Sequence, residues 1–178
     1  MTTTLAVVAL GSNLGDREAT LGSAVAALDA LPECRIHAVS SWHGTVAVTL
    51  DGPDPGKPAY LNGVALLETG LDAFQLLDGL RAIEQLHGRE RHERWGDRTL
   101  DLDLIAFGEL EIDSDELQVP HPRAHERDFV LAPWLEVQPD ARLAGRGDAA
   151  ALLAALQSPA PAAPVIDSAP TAPEEPTA

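Results

Sequence analysis

The sequence predicts an α+β fold: a ferredoxin-like βαββαβ sandwich with an extra C-terminal hairpin and helices. Three observations lead to that expectation. Strand-like apolar runs and stretches of 3.6-residue periodicity follow one another in the order strand, helix, strand, strand, helix, strand. Glycine, proline and short polar residues punctuate the joins between them. The apolar share, 45% of 178 residues, suffices to fill a real core.

Residues 3–10 (TTLAVVAL), closed by Gly11, are long enough for one buried strand. Ser12 to Asp16 forms a turn ending in a capping residue. Leu21, Val25 and Leu28 then recur at helical spacing, which predicts a helix over 16–31 ahead of Pro32. Residues 35–48 are rich in β-branched side chains and alternate well enough for a second strand. Residues 51–58 (DGPDPGKP), with three prolines and two glycines, read as a loop. Residues 60–68 (YLNGVALLE) give a third strand, weakened at its start by Asn62 and Gly63. Phe74, Leu77, Leu80, Ile83 and Leu86 predict a helix over 71–87, stopped by Gly88. After a polar, arginine-rich loop, residues 99–107 (TLDLDLIAF) form the fourth strand. A small hairpin over 112–119, a short helix over 124–135 and a last helical turn or two over 149–156 complete the prediction. Residues 1–157 are thus expected to form one domain. Residues 158–178 (SPAPAAPVIDSAPTAPEEPTA) carry six of the chain's 14 prolines and only two bulky apolar residues, Val165 and Ile166, so a flexible tail is expected there.

Charge narrows the function. Twelve Lys and Arg against 28 Asp and Glu leave a net charge of −16, the wrong sign for a broad phosphate-neutralising face or for docking on anionic membrane. No nucleic acid and no membrane is therefore expected as a partner. The single cysteine, Cys34, excludes an intramolecular disulfide and a cysteine-based zinc knuckle. No basic segment followed by an apolar one opens the sequence, and no apolar run reaches about 18 residues. The expectation is a soluble, cytoplasmic protein.

Within this acidic chain the arginines cluster. Seven lie between Arg81 and Arg127: Arg81, Arg89, Arg91, Arg94, Arg98, Arg123 and Arg127. A guanidinium fork matches pairs of phosphate oxygens, so the cluster suits a compact polyanion. Surface ion pairing with the interleaved Glu90, Glu93 and Asp97 is the alternative. Asp101 and Asp103 alternate with leucines in the fourth strand, which puts both carboxylates on one face, roughly 7 Å apart. Strands disfavour Asp, and paired carboxylates repel. A hard divalent cation shared with phosphate oxygens would offset both costs, which makes a magnesium–nucleotide site the leading reading. Trp95 in the arginine loop, Phe129, and Tyr60 two residues before Asn62 add rings and an amide edge of the kind a planar heterocycle needs. The Gly56-Lys57 pair is followed by Pro58 rather than Ser or Thr and makes no P-loop. His121 and His125 lack the glutamate of a zinc-protease helix. A non-catalytic binding module and a metal nuclease remain as rivals at this stage.

The run 88–104, GRERHERWGDRTLDLDL, resembles the signature of the 6-hydroxymethyl-7,8-dihydropterin pyrophosphokinase family of folate biosynthesis. Ala9-Leu10-Gly11-Ser12-Asn13-Leu14-Gly15, Tyr60-Leu61-Asn62, Val119-Pro120-His121-Pro122-Arg123 and Arg127-Asp128-Phe129-Val130-Leu131 agree with it in order. The resemblance implies transfer of pyrophosphate from ATP, as co-substrate, to the pterin hydroxymethyl group, with release of AMP. It implies two magnesium ions held by Asp101 and Asp103. ATP would meet Glu84, Arg91, Arg94, Trp95, Arg98, Leu104, His121 and Arg127. The pterin would meet Thr45, Val46, Val48, Tyr60, Asn62, Trp95 and Phe129. Arg91, Arg98 and Asp103 would take part in catalysis, mainly by positioning and charge stabilisation. The loops around 46–58 and 88–98 would close over the substrates. Thr45-Val46-Ala47 stands where the family usually carries Thr-Pro-Pro, and Glu116 and Gln118 stand where some relatives have Arg and Thr.

Overall fold

A computed structural model describes residues 3–46, 48–49, 52–53, 59–88 and 99–158. Its centre is an antiparallel sheet of β1 (Thr4–Ser12), β2 (Cys34–Val39), β6 (Tyr60–Thr69) and β7 (Asp101–Phe107), in the spatial order β2-β6-β1-β7. With α1 (Arg17–Asp29) and α2 (Ala73–Leu86) between them, these strands make the βαββαβ sandwich. Asp16 caps α1 by accepting from Ala19 N–H. Asp72 and Gln75 form a reciprocal capping box on α2, satisfying donors that the first turn of a helix leaves unpaired.

Both faces of the sheet are covered. Ala6, Val8, Leu10, Ala65, Leu67, Leu102 and Leu104 pack under Leu21, Ala24 and Leu28 of α1 and Leu76, Leu80 and Ile83 of α2. The opposite face, with Val7, Val64, Leu66, Ile105 and Ala106, lies under α3 (Asp128–Val137) through Val130, Leu131 and Trp134. There α4 (Ala149–Gln157) supplies Ala149, Leu152 and Leu153. Register sets this division. Val8 pairs with Leu104 and Val7 with Ala106, so Ile105 is an extra residue in β7. That bulge turns Ile105 and Ala106 together to the second face.

Two expectations change and one element is added. The strand expected over 35–48 is broken. β2 ends at Val39, and the chain resumes as β3 (His43–Thr45) and β4 (Val48–Thr49). β2 and β3 both pair with β6, whereas β4 pairs with β5 (Gly52–Pro53). At the break, Ser40 N–H donates to Val64 C=O at 2.9 Å and Ser40 Oγ accepts from Val64 N–H at 3.0 Å. A hydroxyl thus replaces one rung of the ladder. Trp42 then packs directly on Gly63, where a Cβ would meet the indole at 2.5 Å. The helix expected over 124–135 divides into a 3-10 turn (Ala124–Glu126) and α3, because Arg127 adopts an extended conformation. Finally, a hairpin of β10 (Arg142–Leu143) and β11 (Gly147–Asp148) precedes α4, its turn using positive φ at Gly145 and Gly147. The hairpin expected over 112–119 is present as β8 (Ile112–Asp113) and β9 (Gln118–Val119).

Candidate active site

Strand register assembles the site. Gly11 of β1 pairs with Asn62 of β6 on one side and Asp101 of β7 on the other, and His43 of β3 pairs with Asn62. Directly paired residues share a face, so His43, Asn62, Gly11 and Asp101 form one row across four strands. Thr45 and Tyr60 flank the row on one side, Ala9 and Asp103 on the other. Asn62 therefore stands two strand spacings, roughly 10 Å, from Asp101. Gly11 lies between them as a floor. A Cβ there would sit 3.1 Å from Asn62 Oδ1, tight enough to push the amide aside.

At the β6 end, Asn62 is 8% exposed, and its Nδ2 donates to Thr45 Oγ1 at 2.7 Å. That bond fixes which edge of the amide faces outward. Tyr60 and Thr45 are half-buried and Val46 is exposed. Arg17 Nη1 donates to Ala59 C=O at 2.5 Å, anchoring the entry to β6 on α1.

At the β7 end, Asp101 and Asp103 are half-exposed while Leu100, Leu102 and Leu104 are buried on the opposite side, as the alternation predicts. Arg127 Nη1 donates to Asp103 Oδ2 at 3.2 Å, and its guanidinium carbon lies 5.7 Å from the centre of the Phe129 ring. His121 Nε2 is 3.9 Å from the same carboxylate oxygen. His121 Nδ1 accepts from Arg123 N–H at 3.1 Å, which leaves the proton of the neutral ring on Nε2, facing the site. Burial pushes His121 below its ordinary 6.5; Arg127 and Arg123 push the same way, and Asp103 and Asp101 oppose them. Its imidazole is accordingly neutral near pH 7 and presents an Nε2–H toward the site.

Two expected nucleotide residues lie on the far side of β7. Glu84 is 3% exposed, and its Oε1 accepts from Leu102 N–H at 2.8 Å. It ties the outer edge of β7 to α2. The Leu104 side chain is in the core, so only the backbone, which by the strand period of two faces the same outer edge as Leu102, is left to meet a ligand. Arg91, Arg94, Trp95 and Arg98 lie outside the described residues, as does the Val48 side chain, and the two expected closing loops fall largely there.

Asp101 and Asp103 are hard oxygen donors on one face, a set that fits magnesium. Among the described residues no group of three or more His, Cys, Asp or Glu side chains gathers into a cage. A pair of carboxylates completed by water and phosphate oxygens matches the way magnesium is usually held.

The sequence of residues 7–139 matches the family model of 7,8-dihydro-6-hydroxymethylpterin-pyrophosphokinase. The chain belongs to this family. It is 46% identical over 136 residues to a 2-amino-4-hydroxy-6-hydroxymethyldihydropteridine pyrophosphokinase of Pseudomonas aeruginosa, covering 76% of this chain and 82% of that one. It is 42% identical over 133 residues to the protein of the same name from Bacillus subtilis, covering 75% and 77% of the two chains. The fold is similar to that of a Plasmodium falciparum HPPK-DHPS structure at TM-score 0.66 and 12% identity. That alignment covers 86% of this chain and spans 45% of the longer Plasmodium chain.

One polar cluster beside the candidate site was not legible in the sequence. Glu136, in the last turn of α3, accepts from Ser41 N–H at 2.9 Å and Ser41 Oγ at 2.8 Å, and meets His43 Nε2 at 2.5 Å. Burial would raise the Glu136 carboxyl, but the Ser41 hydrogen bonds and His43 outweigh it and hold the group below its ordinary 4.5. A signal was present: an acidic residue in the last helical turn opposes the helix dipole and so calls for a partner.

Proposed function

We propose that the chain transfers the β,γ-diphosphate of ATP to the hydroxymethyl group of 6-hydroxymethyl-7,8-dihydropterin, giving the pterin diphosphate and AMP, a step of folate biosynthesis. The observation that favours this most is the single row that sets the Thr45-oriented Asn62 amide opposite Asp101 across the Gly11 floor, with Asp103 flanking it on the same face. The separation of about 10 Å suits a heterocycle at one end and a phosphate chain at the other.

In the reaction the pterin hydroxyl oxygen forms a bond to the β-phosphorus, the bond from that phosphorus to the α,β-bridging oxygen breaks, and AMP leaves. The hydroxyl proton passes to solvent. Such a transfer asks little covalent chemistry of a protein and much positioning and charge stabilisation. Asn62 would orient the pterin edge, with Tyr60 beside it and Phe129 against the ring. His121 Nε2–H and Arg127 would donate to phosphate oxygens, joined by Arg91, Arg94 and Arg98, with Trp95 on the pterin's other face. Asp101 and Asp103 would hold two magnesium ions, which neutralise phosphate charge when bound. Glu84 and the backbone of Leu104 would shape the nucleotide side. The enzyme is read as a cytoplasmic monomer.

The test is AMP release with ATP, magnesium and hydroxymethyldihydropterin together. Turnover needing all three is expected. AMP formed without the pterin, or none under any condition, would overturn the reading and leave a non-catalytic module.

A further inference from the structure

We infer that Glu136, acting through His43, is a positioning residue for the heterocycle half of the site. This rests on the activity proposed above. The edge strand β3 is only three residues long, yet it carries Thr45, which orients Asn62, and His43, which pairs with Asn62 in register. A three-residue strand at a sheet edge holds its place poorly by its own ladder. Two contacts from outside the ladder pin it. On the α1/α2 side, Trp42 lies on Gly63. On the other side, Glu136 collects Ser41 N–H, Ser41 Oγ and His43 Nε2 from the segment that begins β3.

Geometry makes Glu136 more than a surface ion pair. Its carboxylate takes a backbone donor as well as two side chains, and that backbone donor belongs to the break between β2 and β3, where the ladder to β6 has lapsed. α3 thereby spans the site. The residue preceding its first turn, Arg127, holds Asp103, and its last turn holds β3. Loss of the Glu136 carboxylate frees β3 to shift against β6, which turns Thr45 Oγ1 away from Asn62 and lets the amide rotate. The phosphate half, on β7, is anchored separately through Glu84 and Arg127 and keeps its geometry.

Steady-state kinetics of the full chain separate these effects. Glu136→Ala is expected to raise KM for the pterin about tenfold, the scale of one lost charge-assisted hydrogen bond, while KM for ATP and kcat stay close to wild type. Glu136→Gln, which keeps the length and an oxygen acceptor for Ser41, should restore most of the pterin KM. His43→Ala should raise it in the same direction, and decides the matter if Glu136→Ala does not fold. Wild-type protein that releases no AMP removes the activity and the inference together. Active wild type with an unchanged pterin KM in the variants, or with both KM values raised alike, overturns the inference alone.

Discussion

Asp103 concentrates the electrostatics of the β7 end of the site, where the proposed function places the phosphates. One of its oxygens already receives Arg127 at 3.2 Å and faces the neutral His121 ring at 3.9 Å. Replacing Asp103 with Ala removes a carboxylate from the proposed cation pair and releases Arg127 from its orientation. Turnover should fall by about 100-fold or more, the scale of losing one preorganised charge contact to a developing anion. The fold should survive, since Asp103 is outside both cores. Near-wild-type turnover in a folded Asp103→Ala protein would contradict the cation assignment. Glu136 makes a prediction in pH. Its folded value lies below its ordinary 4.5, so between the two the unfolded chain binds the extra proton and stability rises with pH. The contribution is fully present above about 4.5 and is lost as pH falls through the folded value. Acid unfolding followed by circular dichroism should show a shallower acid limb for Glu136→Gln than for wild type. The group is well exposed, so added salt should shrink the difference. Identical acid limbs at low salt would refute this.

At the scale of elements, the break between β2 and β3 shows what periodicity can and cannot reveal. Alternation over 35–45 reads the same whether the strand runs on or stops and resumes, as β3, against the same partner. The difference lies in one hydroxyl. Ser40 Oγ accepts from Val64 N–H and donates to Ser41 C=O at 2.8 Å. Ser40→Ala strands the Val64 N–H in the second core, where a lost partner costs about 1–3 kcal/mol. The urea midpoint should fall accordingly with an unchanged slope; an unmoved midpoint would mean the backbone finds another partner. The same reasoning explains which residues of the candidate site were legible. Two Asp in an apolar strand stand out because strands disfavour them, and both turn to one face as the period of two requires. The Ser41–His43–Glu136 cluster joins residues 93 and 95 apart, which local pattern cannot bring together. The division of α3 from the turn before it depends on the backbone of Arg127, a residue whose type carries no such signal.

For the whole molecule, the sandwich was legible because its long strands are apolar runs, α2 has a clear helical period and α1 is bracketed by the Asp16 cap and Pro32, whereas the two-residue strands of β10 and β11 are too short to have any period. The family match ends at residue 139, yet the second core does not. Ala149 is fully buried there, Leu152 and Leu153 pack partly against it, and Ala149 N–H donates to Ala141 C=O at 2.9 Å. Covering that face keeps α3 seated, and α3 reaches both ends of the site. Residues 159–178 contain only Val165 and Ile166 as bulky apolar side chains. Two truncations should therefore behave oppositely. Ending the chain after Ser158 should leave the thermal midpoint and turnover unchanged. Ending it after Asp148 strips α4 from the second face, and two partly buried leucines less their ordering entropy amount to about 2 kcal/mol. For a domain of this size that lowers the midpoint by roughly 4–8 °C. Because α3 then loses its backing, the pterin KM should rise as well. Equal midpoints for the two truncations would show that α4 is dispensable and that α3 is held by the sheet alone.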